Sequence, residues 1–166
     1  WPRYLASWRN LHILPAPLAD KPLDAGDAYF VPELFLSAKR RFRFSVLDLP
    51  PALYAACKDA ALLAERILII CSADRISLHL ADRRLHDLFQ LGLAPEQIKL
   101  VINRSDSEGP LRPEQVPNFE GVDVIATLPN DYRRVNDAYL AGDLVDAASP
   151  YRVAVESLAD RIYASL

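Results

Sequence analysis

Asp48, Asn103, Pro129 and Asp131 are the residues of this chain whose types and placement best suit chemistry. Asp48 closes the apolar run Phe44-Ser-Val-Leu47, and Pro50 and Pro51 stop that run from continuing. An apolar run of this length between breakers predicts a strand buried on both faces. A carboxylate at the carboxyl end of such a strand sits where open α/β sheets place their ligands. Asp48 is then the acid of a phosphate or metal site, or else a cap for the helix that follows. In the first case it holds Mg²⁺ through water, because a hard cation prefers oxygen ligands and keeps part of its hydration shell. Asn103 ends another apolar run and carries both a donor and an acceptor, the equipment for reading a purine edge. Pro129, Asn130 and Asp131 form a turn into a helix that can press backbone and a carboxylate against a base. Loop capping explains Asn103 and Asp131 equally well. It explains Asp48 less well, since an ionised carboxylate at the end of a buried strand is costly without a partner.

The elements that must position these residues follow from periodicity. Residues 11–14 read as a short strand ended by Pro15-Ala-Pro17, whereas residues 1–10 show no clear period. Asp27 is an N-cap for a helix to about residue 41, with Tyr29, Leu34, Phe35 and Ala38 at near-helical spacing. Lys39, Arg40, Arg41 and Arg43 cluster at its end, where cations complement the helix dipole. A helix over residues 52–63 comes next, then a buried run over 66–71. Residues 75–91 form a long helix with Leu78, Ala81, Leu85 and Leu88 as its core stripe, and Gly92 ends it in the left-handed region. Buried runs at 98–103 and 122–126 are followed by a helix over 131–140. Pro150 opens a last helix with Val155, Leu158, Ile162 and Leu166 on one face. Apolar strands alternating with amphipathic helices predict βαβ units. The expected fold is a single α/β domain over residues 1–166, doubly wound, with a mostly parallel sheet and helices on both faces. Four strand ends, at residues 48, 71–74, 103–106 and 127–131, are expected to meet at one crevice.

Bulk composition narrows the function classes. A chain of 166 residues with 51% hydrophobic and 25% charged residues is an ordinary globular protein. A formal charge of −3 argues against a nucleic-acid-wrapping surface. Cys57 and Cys71 fit no metal or redox spacing, and two lone thiols point to a reducing compartment. No apolar run approaches the roughly 20 residues of a membrane span, and no signal-peptide pattern opens the sequence. There is no methionine, and the five glycines (26, 92, 109, 121 and 142) make no Gly-rich phosphate loop. Both facts lead us to expect part of a longer protein.

Val46-Leu-Asp-Leu-Pro-Pro51 resembles the Walker B segment of the ParA/MinD group of deviant P-loop ATPases. Val101-Ile-Asn-Arg104 looks like that group's strand-end Asn-Arg motif. Ala126-Thr-Leu-Pro-Asn-Asp-Tyr132, with Asn136 and the pair Ala141-Gly142, is similar to its adenine-side loop and helix. Leu11-His-Ile-Leu-Pro-Ala-Pro17 resembles a strand of the CpaE/TadZ branch, the pilus-assembly relatives of MinD. The resemblance implies an incomplete P-loop NTPase-like domain. In it Asp48 is the Walker B acid that orders the Mg²⁺ shell, and Asn103 and Arg104 lie beside adenine with Pro129 and Asp131. It implies ATP and Mg²⁺ as cofactors of the complete protein and a nucleotide-controlled homodimer. Its partners would be pilus-assembly or polar-localisation proteins, with no direct membrane insertion. The family's phosphate loop, with its lysines, has no counterpart in these residues. The chain alone is therefore expected neither to hydrolyse ATP nor to bind it tightly.

Three other readings compete. A response-regulator receiver would phosphorylate Asp48, with Ser72 as its hydroxyl, but no acidic pair follows Leu14 and no lysine stands at Asn103 or Thr127. A non-catalytic interaction scaffold with a degenerate ATPase fold needs none of the missing groups. Plasmid or chromosome partitioning shares the fold, but the acidic balance and the Pro-Ala-Pro strand count against it. His79, Asp82 and His86 share one helix face, which reads as solvated rather than as a zinc site. Arg152, Glu156, Asp160 and Arg161 mix their charges on the last helix, which reads as a core-packing helix rather than a basic membrane tail.

Overall fold

A computed structural model describes residues 5–15, 30–50, 55–106, 119 and 121–164. The chain divides into two compact units, Trp1–Ala60 and Ala61–Leu166, and the division falls inside helix α2 (Ala55–Leu63).

In the first unit, β1 (Ala6–Trp8) and β2 (Leu11–Ile13) form an antiparallel hairpin with Ser7 opposite His12. The turn puts Arg9 at φ 52°, and its guanidinium lies 4.5 Å over the Trp8 ring. The strand expected at residues 11–14 therefore exists, but its partner is the stretch that showed no period. A three-residue strand is too short for periodicity to register. On one hairpin face Ser7 Oγ and His12 Nδ1 are 3.0 Å apart, and the His12 ring tilts against Phe42 at 5.4 Å. Helix α1 (Phe30–Arg41) precedes Phe42, with Glu33 in its first turn and Lys39, Arg40 and Arg41 in its last, both arranged to suit the helix dipole. Phe35 is its buried anchor, while Leu34 is exposed and Ala38 is half-buried. Tyr29 lies outside the described residues.

The strand predicted at Phe44–Leu47 does not form. Residues 44–50 join no strand, every one of them is exposed, and Val46 is 97% exposed. Burial on both faces requires ladder partners on both sides, and no described strand pairs here. Asp48 accordingly follows an irregular exposed segment rather than the end of a buried strand.

The second unit is built on a parallel sheet in the order β3-β4-β5. β3 (Ile67–Ser72) runs beside β4 (Ile98–Ser105) in unbroken register from Ile67↔Ile98 to Ser72↔Asn103. β4 pairs on its other side with β5 (Val124–Pro129), with irregularities after Leu100 and after Ile102. Leu100, Val101 and Ile102 are all 0% exposed. Consecutive strand residues point to opposite faces, so both faces of the central strand are covered. Helix α5 (Pro150–Ala164) supplies one cover, with Val101, Leu128 and Leu158 packed together and flanked by Tyr151, Ala154 and Ile162. The inner stripe of α5 therefore runs through Tyr151 and Ala154. Val155 falls at its margin, and Leu166 is outside the described residues.

Helix α3 (Arg75–Gln90) packs on β3 and buries Leu78, Ala81, Leu85 and Leu88, the predicted stripe. Asp74 caps it, Oδ1 accepting from Ser77 N–H at 2.9 Å and Oδ2 from Ser77 Oγ at 2.7 Å. Gly92 follows at φ 86°, the left-handed stop. A single 3₁₀ turn (Pro95–Gln97) leads into β4. The strand predicted at 122–126 is displaced by two residues. Val122 is buried but belongs to a tight turn through Gly121, its N–H bonded to Phe119 O at 2.7 Å. The strand then runs on to Pro129, at the edge of the described sheet, where proline is tolerated because no neighbour among the described strands needs its N–H. Helix α4 (Tyr132–Ala141) follows directly and ends at Gly142, φ 65°. The second unit is an α/β layer structure with a parallel sheet and helices on both faces, as the alternation of runs predicts.

Candidate functional site: the rim at the strand ends

Because β3, β4 and β5 are parallel, their carboxyl ends emerge on one edge of the second unit. Ser72 lies beside Asn103, and Ser105 beside Pro129. Asn130 sews two of these ends together. Its main-chain N–H donates to Ser105 O at 3.3 Å, and its Nδ2 donates to Asp106 Oδ2 at 3.2 Å. Asn103, Arg104, Pro129 and Asp131 are thus brought to one rim, while Asp48 belongs to the first unit.

The backbone at the tip of β4 is unusual. Arg104 takes φ 53°, a conformation that disfavours any residue with a Cβ, and the register with β5 breaks between Ile102 and Ser105. Arg104 N–H donates to Asn103 Oδ1 at 2.9 Å. That bond fixes the amide so that its oxygen is engaged. Its Nδ2, a donor, has no partner among the described residues. The Arg104 side chain is exposed.

Asp131 is the N-cap residue of α4, yet its side chain makes no capping bond there. Its Oδ2 accepts from Ser149 Oγ at 2.6 Å and from Arg134 Nη1 at 3.2 Å. The Ser149 hydroxyl, more than the Arg134 guanidinium, holds this carboxyl below the usual carboxylate range. Asp74, at the start of α3, is also held low, chiefly by Ser77 N–H. Cys71, near Asp74, is buried. Desolvation first, and then the Asp74 charge, push its thiol up to about 11, so it is no nucleophile at neutral pH.

The charge of the rim decides what it can hold. The second unit has one lysine, Lys99, which sits at the other end of β4 and is paired with Asp123 at 2.8 Å. Asn103 lies four strand positions further on, about 13 Å at the usual rise. Among the described residues the rim therefore offers an amide N–H, a fixed carboxylate and the exposed Arg104 guanidinium, but no lysine. His79, Asp82 and His86 are exposed on α3, and no group of three or more potential metal ligands occurs among the described residues. No helix among them is long and apolar enough to cross a membrane.

Ser149 and the Asn130–Asp106 bridge are absent from the sequence reading. A serine immediately before a helix-opening proline is a legible N-cap signal. That its hydroxyl would turn to Asp131 instead is a tertiary fact.

No family model matches the sequence, and no curated protein does. Solved structures do match. MinD from Pyrococcus horikoshii OT3, complexed with Mg-ADP, superposes with a TM-score of 0.81 at 23% identity over 97% of this chain and 68% of its own. The cell division ATPase MinD of Pyrococcus furiosus gives 0.83 at 22%, over 99% of this chain and 71% of its own. A ParA family ATPase from Chlorobium tepidum TLS gives 0.85 at 15%, over 95% of this chain and 68% of its own. The fold is that of the P-loop ATPases of the ParA/MinD type.

Proposed function

We propose that these residues are part of a ParA/MinD-like ATPase domain that acts in the localisation or assembly of Flp/Tad-type pili, as in the CpaE/TadZ branch. The observation that carries the reading is the meeting of Asn103, Arg104, Pro129 and Asp131 at adjacent strand ends of a fold shared with MinD and ParA. On this reading Asn103 donates from Nδ2 to the adenine, whose other side lies against Pro129 and the Asp131 turn. Bound nucleotide supplies the transferable phosphoryl group, and Asp48 holds the water shell of its Mg²⁺. The protein works in the cytoplasm as a homodimer with polar-localisation or pilus-assembly partners. The Leu11–Pro17 segment supports the pilus branch over the other members of the fold.

Residues 1–166 alone are inactive on this account, because phosphoryl transfer depends on positioning and charge neutralisation by a phosphate loop, lysine and metal. A specific observation also favours a second reading, a non-catalytic scaffold: among the described residues the rim has an amide and a carboxylate but no lysine. The segment before Asp48 is not a buried strand, which removes the structural ground of the receiver reading and of the Mg²⁺ role alike; the role of Asp48 rests on the sequence resemblance alone. The full-length gene product tests the proposal. Mg²⁺-dependent ATP hydrolysis lost in Asp48→Asn, together with displaced pilus-assembly foci in the same variant, is the expected result. Hydrolysis absent from the full-length product with foci intact supports the scaffold.

A further inference from the structure

Ser149 is the one polar side chain in the buried class among the described residues, at 1% exposure. It directly precedes α5, and its carbonyl accepts the first helical bond from Val153 N–H at 3.1 Å. A serine there ordinarily turns its hydroxyl to its own helix. Here the hydroxyl donates to Asp131, the N-cap residue of α4, 18 residues earlier. Asp131 in turn makes no capping bond with α4. Two N-cap residues on successive helices thus bond to each other. The segment between them is held by its own contacts: Ser149 N–H to Asp146 O at 3.0 Å, Ala148 N–H to Asp146 Oδ1 at 2.7 Å, and Arg152 Nη1 to Val145 O at 2.9 Å. Both bonds to Asp131 fall on Oδ2. Neither of these bonds uses Oδ1, although the Arg134 main-chain N–H also helps to hold the carboxyl low.

We infer that Ser149 is a positioning residue for the rim: by anchoring Asp131 Oδ2 it leaves Oδ1 as a fixed acceptor for an N–H or O–H of a bound adenine nucleotide. The inference rests on the proposed nucleotide reading of the rim. A buried anchor matters because a loose carboxylate can swing back to cap α4, where the N–H groups of its first turn compete for it. The same anchor ties the start of α5, which packs on β5, to the turn that follows β5.

The test is calorimetric titration of the full-length gene product with MgATP, using Ser149→Ala, Asp131→Ala and the double variant, beside thermal midpoints of each. Ser149→Ala is expected to raise Kd roughly tenfold, the scale of a hydrogen bond to a charged group. In the Asp131→Ala background the serine change should add nothing further, because its effect passes through that carboxylate. A lowered midpoint with unchanged Kd, or effects that add, overturns the inference and leaves the nucleotide reading standing. Failure of the parental protein to bind MgATP overturns both.

Discussion

Asn130 and Asp106, 24 residues apart, hydrogen-bond at 3.2 Å across the ends of β5 and β4. With the main-chain bond from Asn130 to Ser105, this contact closes the rim where the ladder itself becomes irregular. Both side chains are exposed, so the bond has water as a competitor. Asn130→Ala should cost less than about 1 kcal/mol of global stability. Amide hydrogen exchange should nevertheless quicken at residues 130–131 and leave β3 unchanged.

The strength of the second unit is concentrated in β4. Ile102→Ala removes a side chain with 0% exposure and should destabilise by about 2–5 kcal/mol in denaturant unfolding. Val124→Ala, at an exposed position that starts β5, should cost well under half of that. Equal effects would mean that the centre of this sheet is not its core.

The left-handed residue at the β4 tip makes a separate prediction. A non-glycine residue there costs about 1–2 kcal/mol, part of which glycine returns as chain entropy. Arg104→Gly should therefore be neutral or stabilising by less than about 1 kcal/mol, whereas Arg104→Val should destabilise. The same Arg104→Gly change removes the exposed cation from the rim, so unaltered stability with weakened nucleotide affinity would separate the two roles of the position.

The pH dependence has two arms of opposite origin. Asp74 and Asp131 are held below their ordinary 3.8, so their contribution is present above that value and is lost as pH falls through their lower folded values. Asp74→Ala should lower the midpoint at neutral pH and flatten the decline in acid. Cys71 is raised from 9.0 to about 11, so stability is full below 9.0 and declines as pH rises toward 11. Neither Cys71 nor Cys57, both buried and unpaired, should react with a thiol reagent at pH 8 before unfolding.

Much of the second unit was legible in advance because its elements are long and locally consistent. The stripe of α3, its stop at Gly92 and the doubly buried β4 all express periods that tertiary structure had no reason to override. The Phe44–Leu47 segment misled because an apolar run shows what a strand would bury and says nothing of which strand would pair with it. The β5 boundary slipped because Val122 is buried in a turn, and burial alone does not distinguish a turn from a ladder. The rim residues Asn103 and Asp131 were readable by type and position, and the sequence left capping and binding equally open for both. The structure gives Asp131 a third task, an acceptor for Ser149, that no local pattern encodes.

MgATP titration of residues 1–166 beside the full-length gene product, each with and without Asn103→Ala, tests the central claim most directly. The account predicts micromolar binding by the full-length product, weakened by Asn103→Ala, and no tight binding by residues 1–166 alone. Micromolar affinity in the 166-residue chain, or full-length binding indifferent to Asn103, would contradict it.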